Sequence, residues 1–438
     1  MTIMDSTQAK GLMNKVLGYS KAEECEVNLS GSVTGNVRYA LNTVTTSGVT
    51  EDVTMVVQSA YGKKVGVATI NQFDDKSLER AVRTSEELAR LSPESEEYMP
   101  VLGQQKYLEG KGYIDATAKI TPEYRAQAAA DSIIPSRKAD LTAAGFINDD
   151  ASFAAVANNK GLFAYYPSTS INFSTTIRTA DGTGSGWASR DFNDVRQLNT
   201  ARASKVAMDK AVMSKEARAI EPGRYTVILE PAASVTLINN MGFAMNRRLA
   251  DEGRSFLSKE GGETKIGEKL FDERVTMYSD PQNAANPYSP WAGDGQAHEK
   301  RTWIKDGVVQ QVPCPRYWAE QKDYESVPFP GGWIMVGGSD STEDLVRGVR
   351  RGILVTRTWY IRPVDPQTQL YTGLTRDGTF FVEDGEIKYP VKNLRFNESP
   401  IIMLNNIEKM GKPVRMNGNM VPPMVVRDFN FTSLSDAV

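Results

Sequence analysis

The sequence has a single histidine, His298, and two cysteines, Cys25 and Cys314, in 438 residues. Zinc enzymes hold their metal with two or three His, or with Cys and His together. One His and two distant Cys supply no such set within this chain. Ser-His-Asp and Cys-His catalysis would both have to pass through His298. That residue sits in GDGQAHEKRTW, a run rich in turn formers, and is expected in an exposed loop. His298-Glu299 does not open a His-Glu-x-x-His motif, because Thr302 stands in the second His position. Two cysteines make no disulfide framework. Charge of one sign is also missing. There are 51 basic and 54 acidic residues, a net charge of -3. That balance gives no electrostatic footprint for nucleic acid or an anionic membrane. No apolar run reaches bilayer length, and residues 1–20 have no signal-type core, so a soluble cytoplasmic protein is expected. Tyr61-Gly62-Lys63-Lys64 and the glycines of 181–186 lack the Gly-x4-Gly-Lys-Ser/Thr spacing of a phosphate loop. They read as turns between strands.

What is present is ordinary globular composition, 40% hydrophobic and 24% charged. The length suits two or three domains. Residues 6–18 read as a helix with Ser6 or Thr7 as N-cap and Gly18 as stop. Four short strands follow at 24–29, 36–41, 50–59 and 64–68, broken by Gly31, Gly35, Gly48 and Gly62. Residues 74–91 are an amphipathic helix, with Leu78, Ala81, Val82, Leu88 and Leu91 on one face. Residues 92–118 have turn residues and no period, and read as a connecting segment. A second α/β unit spans 119–218. It opens on a helix capped by Thr121 with Pro122 in the first turn. Strands at 141–146, 152–158 and 162–179 follow, then a helix at 199–215. From 219 onward the chain is β-rich. Asp306-Gly307, Asp377-Gly378 and Asp384-Gly385 read as hairpin turns. Ser341-Thr-Glu-Asp344 is a capping box for a helix ended by Gly352. Arg347, Arg350, Arg351 and Arg357 read as a solvated basic face, and 401–410 as a further helix. The fold class is therefore α+β. An N-terminal α/β region (1–91) with antiparallel strands and flanking helices leads, through 92–118 and 119–218, to a β-rich domain at 219–438.

The stretch 221–258 is central. A short apolar strand at 225–229 stops at Pro231, and an amphipathic run follows with Leu237, Ile238, Met241, Met245 and Leu249 at helical spacing. A helix just after a strand is a common place for metal-binding side chains. This one has no His, Glu or Cys between Ala232 and Asp251.

The ordered set of motifs resembles the TldD/PmbA family over nearly the whole chain. The set begins with Val65-Gly66-Val67-Ala68-Thr69-Ile70-Asn71, followed by Asp74-Asp75. It continues with Gly253-Arg-Ser255, Gly338-x-Asp340-Ser341-Thr-Glu-Asp-Leu345 and Gly352-Ile-Leu-Val355-Thr356. Thr372-Gly373, Glu383-Asp-Gly385-Glu386-Ile387 and Pro390-Val391 complete it. The resemblance implies one of two kinds of subunit. TldD-like members carry a His-Glu-x-x-x-His zinc motif on the helix and a Cys ligand near the C-terminus. TldE (PmbA)-like members lack the motif and pair with a TldD-like subunit. Counting back from Gly253, the motif positions fall on Ile238, Asn239 and Phe243, within about one residue. The run 415–422 lacks the cysteine, and Cys314 lies elsewhere. The resemblance thus implies a TldE-like, non-catalytic subunit of a metallopeptidase complex acting on unfolded peptides. It implies no cofactor in this chain, with zinc only in a TldD-like partner. Asn240, Trp359 and Tyr360 are candidate peptide or subunit contacts. Two other readings stand beside it. One is a free-standing hydrolase, with Asp280, Asp294 and Glu299 as loop carboxylates suited to a hard cation such as magnesium. The other is a homodimeric scaffold or peptide-binding protein using Trp291, Trp303, Trp359 and Tyr360.

Overall fold

Caps fix the helices at the start of the chain. The computed structural model describes residues 3–435. Helix α1 (Ser6–Tyr19) is capped by Asp5, one residue before the expected caps, and runs through Gly18. The Asp5 carboxylate accepts the Gln8 N–H at 2.8 Å and the Gln8 side chain accepts the Asp5 N–H at 3.0 Å. That reciprocal pair satisfies two donors at once, which Ser6 or Thr7 alone would not.

Strands β1 (Glu24–Ala40), β2 (Thr43–Tyr61) and β3 (Lys64–Ile70) replace the four short ones expected. Gly31, Gly35 and Gly48 lie inside strands instead of ending them. At Gly31 and Gly35 the reason is close approach. A Cβ on Gly35 would stand 1.9 Å from the Arg125 guanidinium carbon, and one on Gly31 would stand 2.6 Å from the Phe153 ring. Helix α2 (Asp75–Leu91) buries Leu78, Ala81, Val82, Ser85 and Ala89. Leu88 and Leu91, expected on that face, are exposed.

After α3 (Asp115–Ala118), helix α4 (Pro122–Lys138) starts at the Thr121 cap as expected. Strand β4 (Leu141–Asn158) merges two of the expected pieces, and β5 (Phe163–Thr179), β6 (Ser185–Phe192) and α5 (Thr200–Met213) follow. All six strands form one antiparallel sheet in the order β3-β2-β1-β4-β5-β6. The strands before residue 92 and those after 119 therefore share one sheet. Helices α1 and α2 cover Val27, Leu29, Met55 and Val57. Helices α4 and α5 cover Tyr39, Ile147, Phe173 and Ile177.

The connecting segment is pinned on both sides. The Tyr98 hydroxyl donates to Glu24 at 2.6 Å, and Asn158 Nδ2 donates to the Leu102 carbonyl at 2.8 Å. Arg248, from the C-terminal part, grips Glu97 with two bonds of 2.8 Å. Nearby, Glu26 of β1 is buried without a cation in bonding range among the described residues. Burial pushes its carboxyl above the ordinary range, opposed by the Asn28 amide at 3.2 Å. A raised folded-state value means that stability is full below the unfolded value and lost as pH rises through the folded one. Glu26→Gln keeps an acceptor and removes the ionisation. The variant is therefore expected to match the parent near about pH 4 and to exceed its stability progressively toward about pH 7, read from urea midpoints at each pH. A constant offset across that range would contradict this.

The C-terminal part begins with β7 (Gly223–Leu229), α6 (Pro231–Ala244) and α7 (Arg247–Asp251). The expected single helix breaks at Met245, because Asn246 accepts the Leu249 N–H and starts a new one. Next come β8 (Met277–Ser279), β9 (Arg301–Lys305), β10 (Val308–Val309), α8 (Arg316–Lys322), β11 (Ile334–Met335) and α9 (Thr342–Arg347). Helix α9 has the expected capping box but ends at Gly348, before Gly352. Strands β12 (Arg351–Asp365), β13 (Leu370–Glu383), β14 (Glu386–Pro390) and β15 (Leu394–Glu398) lead to α10 (Pro400–Asn405). The chain ends with β16 (Ile407–Met410), β17 (Val414–Met416), β18 (Asn419–Val421) and β19 (Met424–Leu434). Residues 401–410 are thus half helix and half strand. A seven-stranded sheet runs β12-β7-β19-β15-β13-β14, with β16 on β19. A six-stranded sheet runs β10-β9-β8-β11-β18-β17. Asp306-Gly307 and Asp384-Gly385 are hairpin turns as expected. Asp377-Gly378 is not. It lies inside β13 with φ of 54° and 120°, where the register with β12 slips. This is a bulge, and it turns Asp377 into the interior. Among the described residues no helix is long and apolar enough to cross a membrane.

Candidate functional site

Helix α6 follows β7 directly, with Pro231 in its first turn. Its inner face is fixed by packing. Leu237, Ile238, Met241 and Met245 are buried in the main C-terminal core, Ile238 at 1% exposure. Gly242 lies flat on Trp333, and a Cβ there would stand 2.5 Å from the indole ring. The outer face carries Asn239 and Asn240, both half-buried, and Phe243, 58% exposed. Phe243 sits beside Phe329, with ring centroids 6.4 Å apart.

The start of the same helix is tied to β12. The Thr358 hydroxyl donates to the Ala233 carbonyl at 2.9 Å. The next residues, Trp359 and Tyr360, are 47% and 58% exposed. Ala233 and Phe243 are ten residues apart on the helix, or about 15 Å at 1.5 Å per residue. Phe243 with the two amides thus marks the outer face toward the end of the helix, and Trp359 and Tyr360 lie just past the residue tied to its start. Trp303 and Trp291, expected alongside as surface aromatics, are buried.

Arginines surround Trp359. Arg357 lies 4.6 Å from the Trp187 ring and 5.3 Å from Trp359, and Arg376 lies 5.1 Å from Trp359. Arg357 belongs to no solvated face, unlike the expected cluster. Its Nε donates to Asp377 at 2.6 Å, and Asp377 accepts the Ser185 hydroxyl at 2.5 Å. Burial pulls the guanidinium below its ordinary range, and Asp377 pulls it back. This network joins β6 to β12 and β13. The sequence signal for it was the Asp-Gly pair inside an alternating run, which also fits a hairpin.

His298 is buried, not an exposed loop residue. Its ring nitrogens are each 2.8 Å from a backbone carbonyl, of Ser289 and of Phe329. The ring thus ties two loops and anchors the one carrying Phe329, the neighbour of Phe243.

The donor set does not fit zinc. Ile238 is a core side chain, Asn239 offers an amide and Phe243 a ring. Cys314 is buried elsewhere, and burial pushes its thiol up to about 11, away from the thiolate a metal requires. Arg415, in the run where the resemblance places a cysteine ligand, pairs with Asp191 at 3.2 Å. The loop carboxylates are spread out. Asp280 faces Lys300, Glu299 faces Arg301, and Asp294 accepts the Gln296 N–H. Among the described residues no group of three His, Cys, Asp or Glu is placed to hold a metal ion.

Family models for the PmbA/TldA metallopeptidase match three stretches. They are domain 1 over residues 25–89, the central domain over 115–217 and the C-terminal domain over 222–433. The chain belongs to the PmbA/TldD family. Metalloprotease PmbA of Escherichia coli O157:H7 is 26% identical over 161 residues, covering 35% of each chain. A metalloprotease of Methanothermobacter thermautotrophicus is 22% identical over 295 residues, covering 61% of this chain and 62% of that one. These alignments span about a third and about three fifths of the relatives' own lengths. The crystal structure of TldE from Thermococcus kodakarensis superposes with a TM-score of 0.86 at 16% identity, covering 97% of this chain and 99% of that one. The fold is thus that of a PmbA/TldD protein along its whole length. In this PmbA/TldD chain the structure turns Ile238 into the core. It leaves Asn239 and Phe243, one helical turn apart, on the outer face with Asn240.

Proposed function

We propose that this chain is a non-catalytic, TldE-like subunit of a PmbA/TldD metallopeptidase complex that processes unfolded peptides. The observation that carries the reading is the state of the motif positions. Ile238, Asn239 and Phe243 contain no zinc ligand and no carboxylate base, and a metallopeptidase needs both. Zinc then belongs to a TldD-like partner, and this chain contributes peptide support and assembly. The outer half of β12 suits the first task. Strand β7 pairs only with residues 353–355 of β12, and no described strand pairs with β12 beyond Val355 on that side. An extended peptide takes backbone hydrogen bonds from such an edge without its sequence being read. The helix length of about 15 Å from Ala233 to Phe243 matches roughly four or five extended residues at about 3.3 Å each. Phe243, Trp359, Tyr360 and the amides of Asn239 and Asn240 are the sequence-tolerant contacts this reading assigns.

The purified chain is expected to hold no stoichiometric zinc and to leave casein uncut. Adding a family member with His-Glu-x-x-x-His is expected to give chelator-sensitive cleavage. Elemental analysis and a casein assay decide this. Bound zinc with chelator-sensitive cleavage by the isolated chain would overturn the reading.

A further inference from the structure

Strands β12 and β13, with β15 beside them, gather arginines on their outer face. Residues directly opposite each other in antiparallel strands share a face. Arg357 stands opposite Arg376, and Trp359 opposite Leu374, which stands opposite Arg395. One row further on, Arg362 stands opposite Thr372. Arg395 Nη1 reaches the Thr372 hydroxyl at 3.4 Å, which places both on that face. The stretches 357–362, 372–376 and 395–397 hold four arginines and no Lys, Asp or Glu. Arg362 and Arg395 are exposed, and among the described residues neither has an ion-pair partner.

Like charges directly opposite in a sheet are destabilising. Here a single carboxylate, that of the buried Asp377, is shared by Arg357 and Arg376. Burial lowers the Arg357 guanidinium, Asp377 opposes this, and Arg376 and Arg178 repel its charge. The positive charge of the face is thus not balanced from within. Aromatic rings steady the guanidiniums. Arg357 and Arg376 lie 5.3 and 5.1 Å from the Trp359 ring, and Arg362 lies 4.5 Å from Tyr360. A guanidinium held in this way loses little further freedom when it takes a carboxylate through two parallel bonds.

We infer that the outer face of β12, β13 and β15 binds carboxylate side chains, so that the peptides supported by this chain are acidic ones. The inference rests on the peptide-support reading above and adds a preference to it. The aromatic contacts tolerate any sequence, and the guanidiniums do not. Charge complementarity identifies the occupant. An extended peptide beside β12 turns every second side chain onto this face, about 6.6 Å apart, so Asp or Glu at alternate positions meets the arginines in turn. A nucleic acid strand fits less well. The face is three strands wide, about 10 Å at roughly 4.8 Å per strand. The net charge of -3 adds no wider attraction for phosphates.

The test is fluorescence anisotropy with the full chain and three labelled peptides of about ten residues. They share a Thr/Gly background and carry Glu, Gln or Lys at alternate positions. The Glu peptide is expected to bind at least tenfold more tightly than the Gln peptide, and the Lys peptide more weakly than either. Added salt is expected to reduce the Glu preference. Arg362→Glu with Arg395→Glu is expected to abolish that preference and to favour the Lys peptide. Arg362→Gln with Arg395→Gln is expected to abolish it without reversal. Both side chains are exposed, so both double variants are expected to keep the parent's urea midpoint. Equal binding of the three peptides would overturn this inference and leave the peptide-support reading standing. Binding of none of them would overturn both. A Glu preference unchanged in the two double variants would also overturn it. So would an oligothymidylate of similar length that displaces the Glu peptide and binds more tightly, which would assign the face to nucleic acid.

Discussion

Replacing Arg125 by alanine is expected to cost about 3–5 kcal/mol of stability, the range for removing one partner of a buried ion pair. Arg125 grips Asp149 with Nε at 2.5 Å from Oδ1 and Nη2 at 2.8 Å from Oδ2. Both side chains are under a tenth exposed. Without the guanidinium, the Asp149 carboxylate is left inside the sheet–helix layer with no counter-charge. Gly35→Ala is expected to show a related loss, because its methyl would occupy the space of the guanidinium. Replacing the pair together, Arg125→Met with Asp149→Leu, is expected to cost much less than Arg125→Ala, since no charge is stranded. Urea unfolding followed by circular dichroism gives all three values. Equal losses for Arg125→Ala and the double variant would show that packing, not charge, holds this site.

Writing the zinc motif into α6 is expected to fail. Ile238→His, Asn239→Glu and Phe243→His would place the residues a metallopeptidase uses at the motif positions. Positions 238 and 243 are five residues apart, about 140° around a regular helix. Here one faces the core and the other solvent, so two imidazoles cannot converge on one ion. Ile238→His also puts a polar ring among Leu237, Met241 and Met245, at a cost of about 2–5 kcal/mol. The triple variant is expected to bind no stoichiometric zinc and to unfold at lower urea. Shifting the motif one residue toward the N-terminus brings Gly242 into use, where Trp333 leaves no room. A variant with one tightly held zinc per chain and undiminished stability would mean that α6 can turn about its axis.

Much of the fold was legible in local chemistry. Thr121, Ser341 with Asp344, and the Asp-Gly pairs at 306 and 384 act where their side chains and backbones predict, because capping and tight turns involve neighbours in sequence. The glycines at 31 and 35 misled for the opposite reason. Their role is set by Phe153 and Arg125, which lie some ninety or more residues away in the chain. Asp377-Gly378 carries the same backbone signature as a hairpin turn. Only the pairing of β12 with β13 decides that it is a bulge.

The site divides in the same way. The shortage of His and Cys is a property of the composition, and no folding can add ligands to α6. The sequence alone therefore determined that α6 carries no His, Glu or Cys, and its ordered motifs pointed to the family. Only the tertiary structure decided that Ile238 faces inward while Asn239, Asn240 and Phe243 face outward. It alone buried His298 against two carbonyls and set Trp359 between two arginines. Those outcomes depend on which distant elements meet, and long-range packing leaves no periodic trace in the chain.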